Sequence, residues 1–200
     1  MTLNIVLLFS SILFFTFPVS AHTFTGMIGF YDGLSHPVLG IDHFLAMVSV
    51  GIVSAQIGGR AIWTIPATFV LMMIFGGAIG MLVEVFFFDL EELTFIVVEY
   101  GIVFSVILLG LAIAIEKKIS INIIMIFICI FGLCHGLAHG MEMPWAANPI
   151  LFALGFASGT ATLHLFGVGI GSLAIKTKFS SIVLRIVGVG CALFGISLII

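Results

Sequence analysis

The sequence predicts an all-α, polytopic membrane protein: an N-terminal signal peptide followed by six transmembrane helices. Three observations predict it. The 200 residues are 62% hydrophobic and 8% charged, with a mean hydropathy of +1.41, whereas a soluble domain carries roughly 25% charged residues. The apolar residues fall into runs near the ~20 needed for a helix to cross the hydrocarbon core. The six Lys and Arg residues sort to alternate loops. Six cations and nine acids cannot solvate a globular surface, which excludes a soluble enzyme, a nucleic-acid binder and a disordered tail.

Residues 4–19 form the first apolar run, ending in Pro18-Val19-Ser20-Ala21. Val19 and Ala21 have the small-residue spacing of a signal-peptidase site. Residues 1–21 are therefore expected to be a cleaved signal peptide, residues 22–200 the membrane domain, and His22 the mature N-terminus. Six spans follow, read as 36–57, 61–83, 93–115, 119–139, 149–173 and 180–200, with short separators and no room for an extramembrane domain. Arg60, Lys117, Lys118, Lys176, Lys178 and Arg185 fall at the loops after spans one, three and five. The positive-inside rule makes that side cytoplasmic, and Asp32, Asp89, Glu91, Glu92 and Glu142 then lie outside. The expected location is the bacterial cytoplasmic (inner) membrane. Glycines at 76, 77 and 80, at 155 and 159, at 167, 169 and 171, and at 188 and 190 read as close-packing positions between helices.

Cys129, Cys134 and Cys191 lie in apolar runs without a CxxC pair, which argues against disulfides and a zinc knuckle. The histidines carry more. Ionisable groups in lipid are expensive and ask for a partner or a function. The first span opens with His36, Pro37, Asp42, His43 and Met47. On one continuous helix the seven-residue spacing puts His36 and His43 on one face, with Pro37 in the first turn. The fourth span ends with Cys134, His135, His139 and Glu142, at i, i+4 and i+7 along one face. A rise of ~1.5 Å per residue puts Asp42, His43, His135 and Glu99 roughly 10 Å below the outer boundary, and His164 roughly 20 Å down. Imidazoles with carboxylates suit nickel, cobalt, zinc or copper better than calcium or magnesium. His36, Asp42, His43, His135, His139 and Glu142 are the expected metal ligands. Glu99, His164, Met47 and Cys134 are candidates for the path beyond them. A free α-amine and imidazole on His22 would form an external chelate. Met72, Met73, Met81 and Phe86 to Phe88 read as core filler or lipid-facing residues, and Trp63 and Trp145 as interfacial anchors.

The stretch HPVLGIDHFLAMVSVGIVSAQIGGRAIWTIPATF, His36 to Phe69, resembles the signature of the HupE/UreJ family of nickel permeases. CHGLAHGMEMP, Cys134 to Pro144, resembles that family's second motif, FHGxAHGxE, with Cys134 where Phe is usual. The resemblance implies uptake of Ni²⁺, or Co²⁺, supplied to the maturation of hydrogenase or urease. The ion is then cargo, and no catalytic cofactor is expected. The leading reading is a secondary permease rather than an enzyme. The runner-up is a zinc-dependent intramembrane hydrolase using the same His/Asp cluster, and a metal sensor that binds without transport is a third. Expected partners are the divalent ion and the lipid bilayer, with no nucleic acid; a homo-oligomer stays open.

Overall fold

The computed structural model describes residues 29–86, 88–116, 119–145 and 147–199. The expected signal peptide and His22 lie outside the described residues, as do Lys117, Lys118 and the side chains of Asp89, Glu91 and Glu92. Every regular element among the described residues is a helix: α1 (Phe30–Leu39), α2 (Ile41–Ile57), α3 (Ala61–Phe86), α4 (Phe88–Ile115), α5 (Ile121–Met141), α6 (Pro149–Ala174) and α7 (Lys178–Ser197). Five of them, α3 to α7, contain spans long and apolar enough to cross a membrane, and α1 with α2 makes a sixth when the bent pair is taken together. The chain is an all-helical polytopic membrane protein.

The first span departs from expectation. It is two helices that meet at 85°. Pro37 sits late in α1, not in its first turn, and its missing N–H leaves the α1 ladder incomplete. Gly40 then takes an extended backbone, φ −81° and ψ 119°. Its carbonyl accepts from Phe44 N at 2.8 Å, which starts α2 on a new axis. His36 and His43 therefore do not share one helical face. The bend, not the helical repeat, brings them together. The expected loop at 86–92 is also largely helical, because α3 runs to Phe86 and α4 begins at Phe88.

Elsewhere local sequence chemistry fixes the helix ends. Asn148 caps α6, its side-chain oxygen accepting from Ile150 N at 3.0 Å and Leu151 N at 3.1 Å, with Pro149 at the first helical position, where no N–H is needed. Thr177 caps α7 by accepting from Ser180 N at 3.1 Å. The final carbonyls of α4 are met from other helices. Gln56 donates to the Ile113 carbonyl at 3.2 Å and Arg185 to the Ala114 carbonyl at 2.8 Å. These bonds gather the ends of α2 and α4 with the start of α7. That end, with Arg60 and Lys176, is the basic end of the bundle, and the end with Asp32, His36 and Glu142 is the acidic end.

Packing is built on glycine. The most extensive pairings are α3 with α5, α2 with α6, α4 with α7, and α1 with α6. Between α3 and α5 a Cβ on Gly136 would strike the Met73 carbonyl and approach Gly77 N to 2.8 Å, and one on Gly140 would strike the Gly77 carbonyl. Between α2 and α6, a Cβ on Gly51 would strike the His164 carbonyl and one on Gly167 the Val48 carbonyl. Without a hydrophobic driving force between helices in lipid, such backbone proximity supplies the dispersion contact that holds a bundle. Met47, Ile65, Phe69, Ile113 and Ile128 fill the centre.

Gly136→Ala is expected to destabilise the protein by about 1–3 kcal/mol through overpacking, read as a lower thermal unfolding midpoint in detergent. Gly169→Ala and Gly190→Ala, where a Cβ meets nothing within 4 Å, should leave the midpoint unchanged or slightly higher. Equal behaviour of the three variants would contradict the packing account.

Candidate metal centre

Three helices aim four imidazoles at a common volume near the acidic end. His36 comes from α1, His43 from the first turn of α2, and His135 and His139 from α5, one turn apart. His139 lies between the others. Its ring centroid is 4.5 Å from that of His36 and 4.6 Å from that of His43, and the His43 and His135 rings are 5.2 Å apart. His36 and His43 are 6.4 Å apart across the bend. Three of the four are nearly sealed: His135 is 0% exposed, His139 2% and His43 9%.

Two of these rings have an assigned tautomer. His43 Nδ1 lies 2.9 Å from an Asp42 carboxylate oxygen, which also accepts from the His43 backbone N–H at 2.8 Å. His135 Nδ1 lies 2.8 Å from the Phe131 carbonyl. Both oxygens only accept, so each Nδ1 carries a proton, and in the neutral ring each Nε2 presents a lone pair. Among the described residues, His43 Nε2 and His135 Nε2 are buried without a hydrogen-bond partner, and so are both nitrogens of His139. An unmet buried polar atom costs about 1–3 kcal/mol, so four of them in one small volume require an explanation. A metal-bound histidine almost always donates its other ring N–H to a carboxylate or a backbone carbonyl. His43 and His135 have that arrangement.

Toward the acidic end the same cluster becomes a second, more open set. His36, His139 and Glu142 each offer a ligand atom, all within 4.8 Å of one another. One Glu142 oxygen is 3.5 Å from His36 Nε2 and 3.7 Å from His139 Nδ1. Ligands at about 2.0–2.2 Å from an ion such as zinc would sit closer together than this, so a bound ion would draw the three inward. Glu142 follows the last turn of α5, and His139 lies within that turn. The negative end of the α5 dipole thus faces the site, which favours a cation there.

The remaining candidates fall around the cluster. Glu99, half-buried on α4, is within electrostatic range of Glu142, His43 and Asp42. Met47 is buried one turn beyond His43 on α2. Cys134 turns to α4, where its sulfur faces Gly101, and packs with Val98, Ile102, Ala138 and Met141. It does not join the imidazoles. His164 shares the Phe69 ring with His135, at 5.2 and 5.3 Å between ring centroids. Phe156, seven positions into α6, is level with His139, ring to ring at 4.1 Å, so α6 begins beyond the cluster.

Two phenylalanines at the centre were missed from sequence. Phe156 lies against His139, and Phe69 lies against both His135 and His164, at 5.3 and 5.2 Å between ring centroids. Their signal is spacing. Phe156, Thr160 and His164 recur at i, i+4 and i+8, and Phe69 and Met73 at i and i+4, which aligns each set on one face.

Comparison with known proteins agrees with both motifs. A family model described as HupE / UreJ protein matches residues 10–198. The chain is 35% identical over 185 residues to Protein HupE of Rhizobium leguminosarum bv. viciae, covering 92% of each chain. No solved structure is similar to it. With nearly the whole chain matched, and with both histidine motifs inside the matched region, this protein belongs to the HupE/UreJ family.

Proposed function

We propose that the chain is a secondary permease that takes up a divalent transition-metal cation, nickel first and cobalt next, across the bacterial cytoplasmic membrane. Zinc and copper are the competitors that the donor set admits. The observation that carries this reading is the convergence of His43 Nε2, His135 Nε2 and the His139 ring, buried and without a hydrogen-bond partner among the described residues. Asp42 and the Phe131 carbonyl hold two of these rings by their opposite nitrogens.

In this reading the acidic end faces outward, in accord with the positive-inside rule, and residues 1–21 are a signal peptide that delivers it there. His36 and Glu142, on the half-open side, capture the ion. His139 passes it to His43 and His135, and Asp42 and Glu99 offset its charge. Glu99 and Met47 flank the route and tune it, and His22 on a processed N-terminus adds an external chelate. No GxxxxGK[ST] loop is present in the sequence, so the driving force is an ion gradient, the membrane potential or trapping inside. At −100 mV a divalent ion gains roughly 4.6 kcal/mol on entry, about twice the single-charge value. Hydrogenase or urease maturation would receive the metal. The protein then performs no catalysis, and a homo-oligomer is compatible with its lipid-facing surface.

Two measurements test this. Radiolabelled nickel uptake into proteoliposomes should be saturable in the wild-type protein and lost in His43→Ala and His135→Ala. Stoichiometric metal binding without flux would leave a sensor, and metal-dependent hydrolysis of a lipid amide would leave the hydrolase. Asp42→Asn keeps the shape of the His43 partner but lowers its charge, and should weaken nickel affinity about 10- to 100-fold, as loss of an orienting partner does. Gly40→Ala should act in the same direction without touching a ligand, because its Cβ would come within 2.9 Å of His43 Nδ1 and 3.1 Å of the Asp42 carboxylate. Unchanged affinity in both would remove the orienting role assigned to Asp42.

A further inference from the structure

His164 is fully buried on α6, and neither ring nitrogen has a hydrogen-bond partner among the described residues. A neutral imidazole carries one donor and one acceptor, so both functions of this side chain are unmet. Packing does not account for it, since an apolar residue of similar size would fill the same space without unmet polar atoms.

Its surroundings are specific. The Phe69 ring, itself 0% exposed, stands edge-to-face on His164 at 5.2 Å and on His135 at 5.3 Å. Side chains lean toward the N-terminus of their own helix. His135 on α5 therefore leans toward the basic end, and His164 on the oppositely directed α6 leans toward the acidic end. The two imidazoles approach one another with one phenyl ring between them. One turn from His164 on α6, the Thr160 hydroxyl donates to the Met73 sulfur at 3.5 Å, and both residues are buried. Met73 is in turn one turn from Phe69 on α3.

We propose that His164 forms a second, inner cation position and that the Phe69 ring is the barrier separating it from the outer centre. It would take a partly dehydrated first-row divalent ion, with the His164 imidazole as the anchoring donor and the Thr160 hydroxyl and Met73 thioether beside it. All three donors are neutral. The outer centre has Asp42 and Glu142, so binding weakens from outer to inner position, the grading that lets an ion enter and still leave. Phe69 packs against both His164 and His135, and in this proposal occupation of the inner position requires the ring to move aside. This inference rests on the transport reading for its place in a route, and on the orphaned imidazole for the position itself.

The full-length protein in nanodiscs is titrated with Ni²⁺ by calorimetry, in parallel with nickel uptake into proteoliposomes. His164→Ala should leave the first, outer binding event within about twofold, as expected of separate sites, and lower the maximal uptake rate by about tenfold or more. Phe69→Ala should tighten a second, weaker binding event by about tenfold or more, because the ring no longer has to be displaced. Adding His164→Ala to that variant should abolish the second event. Phe69→Leu, which keeps an apolar side chain in the core, should act in the same direction and serves if the alanine variant unfolds. A single binding event identical to wild type in the Phe69 variants, or a second event that survives His164→Ala, overturns the proposal. If wild type shows no uptake while the His164-dependent event is present, the transport reading falls and the inner position stands. Normal uptake in His164→Ala removes the inner position and leaves the transport reading intact.

Discussion

Direct backbone contact between helices sets the dimensions of everything else in this protein. Gly136 and Gly140 bring α5 against the Met73 and Gly77 carbonyls of α3, and Gly51 and Gly167 bring α2 against α6. A side chain of any size at these positions would separate the helices. His135 and His139 lie on α5 beside Gly136 and Gly140, so the close packing of one face fixes how far the imidazoles on its flank can reach. The same holds on α2, where His43, Met47 and Gly51 recur at four-residue intervals, the spacing of one helical stripe. The glycines position the donors by bringing the helix axes together rather than by touching any of them.

Within that frame the imidazoles are divided by what holds them. His43 and His135 are each fixed by a hydrogen bond from Nδ1, to a carboxylate in one case and a carbonyl in the other. His139 and His164 have no such bond and are held by rings, Phe156 against one and Phe69 against the other. A hydrogen bond fixes tautomer and direction together, whereas ring packing fixes position and leaves the tautomer free. The first pair is suited to holding a cation in one geometry. The second pair is suited to passing it, because either nitrogen can turn to meet it.

Five of the six expected spans and the histidine grouping were legible from hydropathy and spacing, because lipid leaves few alternatives to a helix and a polar residue in it stands out. The break at Gly40 was not. Residues 36–57 are predominantly apolar, with Asp42 the one acid and no Lys or Arg, so a hydropathy window sees one segment, and the seven-residue interval from His36 to His43 looks like two turns of a single helix. Pro37 and Gly40 together contain the turn, but each is also common inside membrane helices. The grouping of His36 with His43 was therefore correct for a mistaken reason. Phe69 and Phe156 were hidden by composition: among 21 phenylalanines, only the four-residue spacing of Phe69 to Met73 and of Phe156 to Thr160 and His164 marks the two that lie against histidines. Cys134 shows the opposite error. Adjacency to His135 in sequence places it about 100° around the helix, and its sulfur faces Gly101 on α4 instead.

The 85° turn has a consequence for electrostatics as well as for shape. Had α1 and α2 been one helix, Asp42 would lie in mid-helix with its carboxylate directed along a continuous ladder. The break makes Gly40 the N-cap and puts Asp42 in the first turn of α2, where the free N–H groups favour an anion. An Asp42 carboxylate oxygen accepts from the His43 backbone N–H and from its imidazole together. A carboxylate stabilised by its own helix terminus can remain charged in an apolar surround without a cation in place. The α5 terminus opposite contributes carbonyl oxygens and Glu142, which repel anions and attract cations. The two helix ends thus make different contributions to one volume: α2 directs N–H groups at the acid, and α5 makes the space above it favourable to positive charge. On the proposed transport reading, that pairing would offset the charge of a divalent ion where it begins to shed water, and the neutral surroundings of His164 beyond it would hold the ion less tightly.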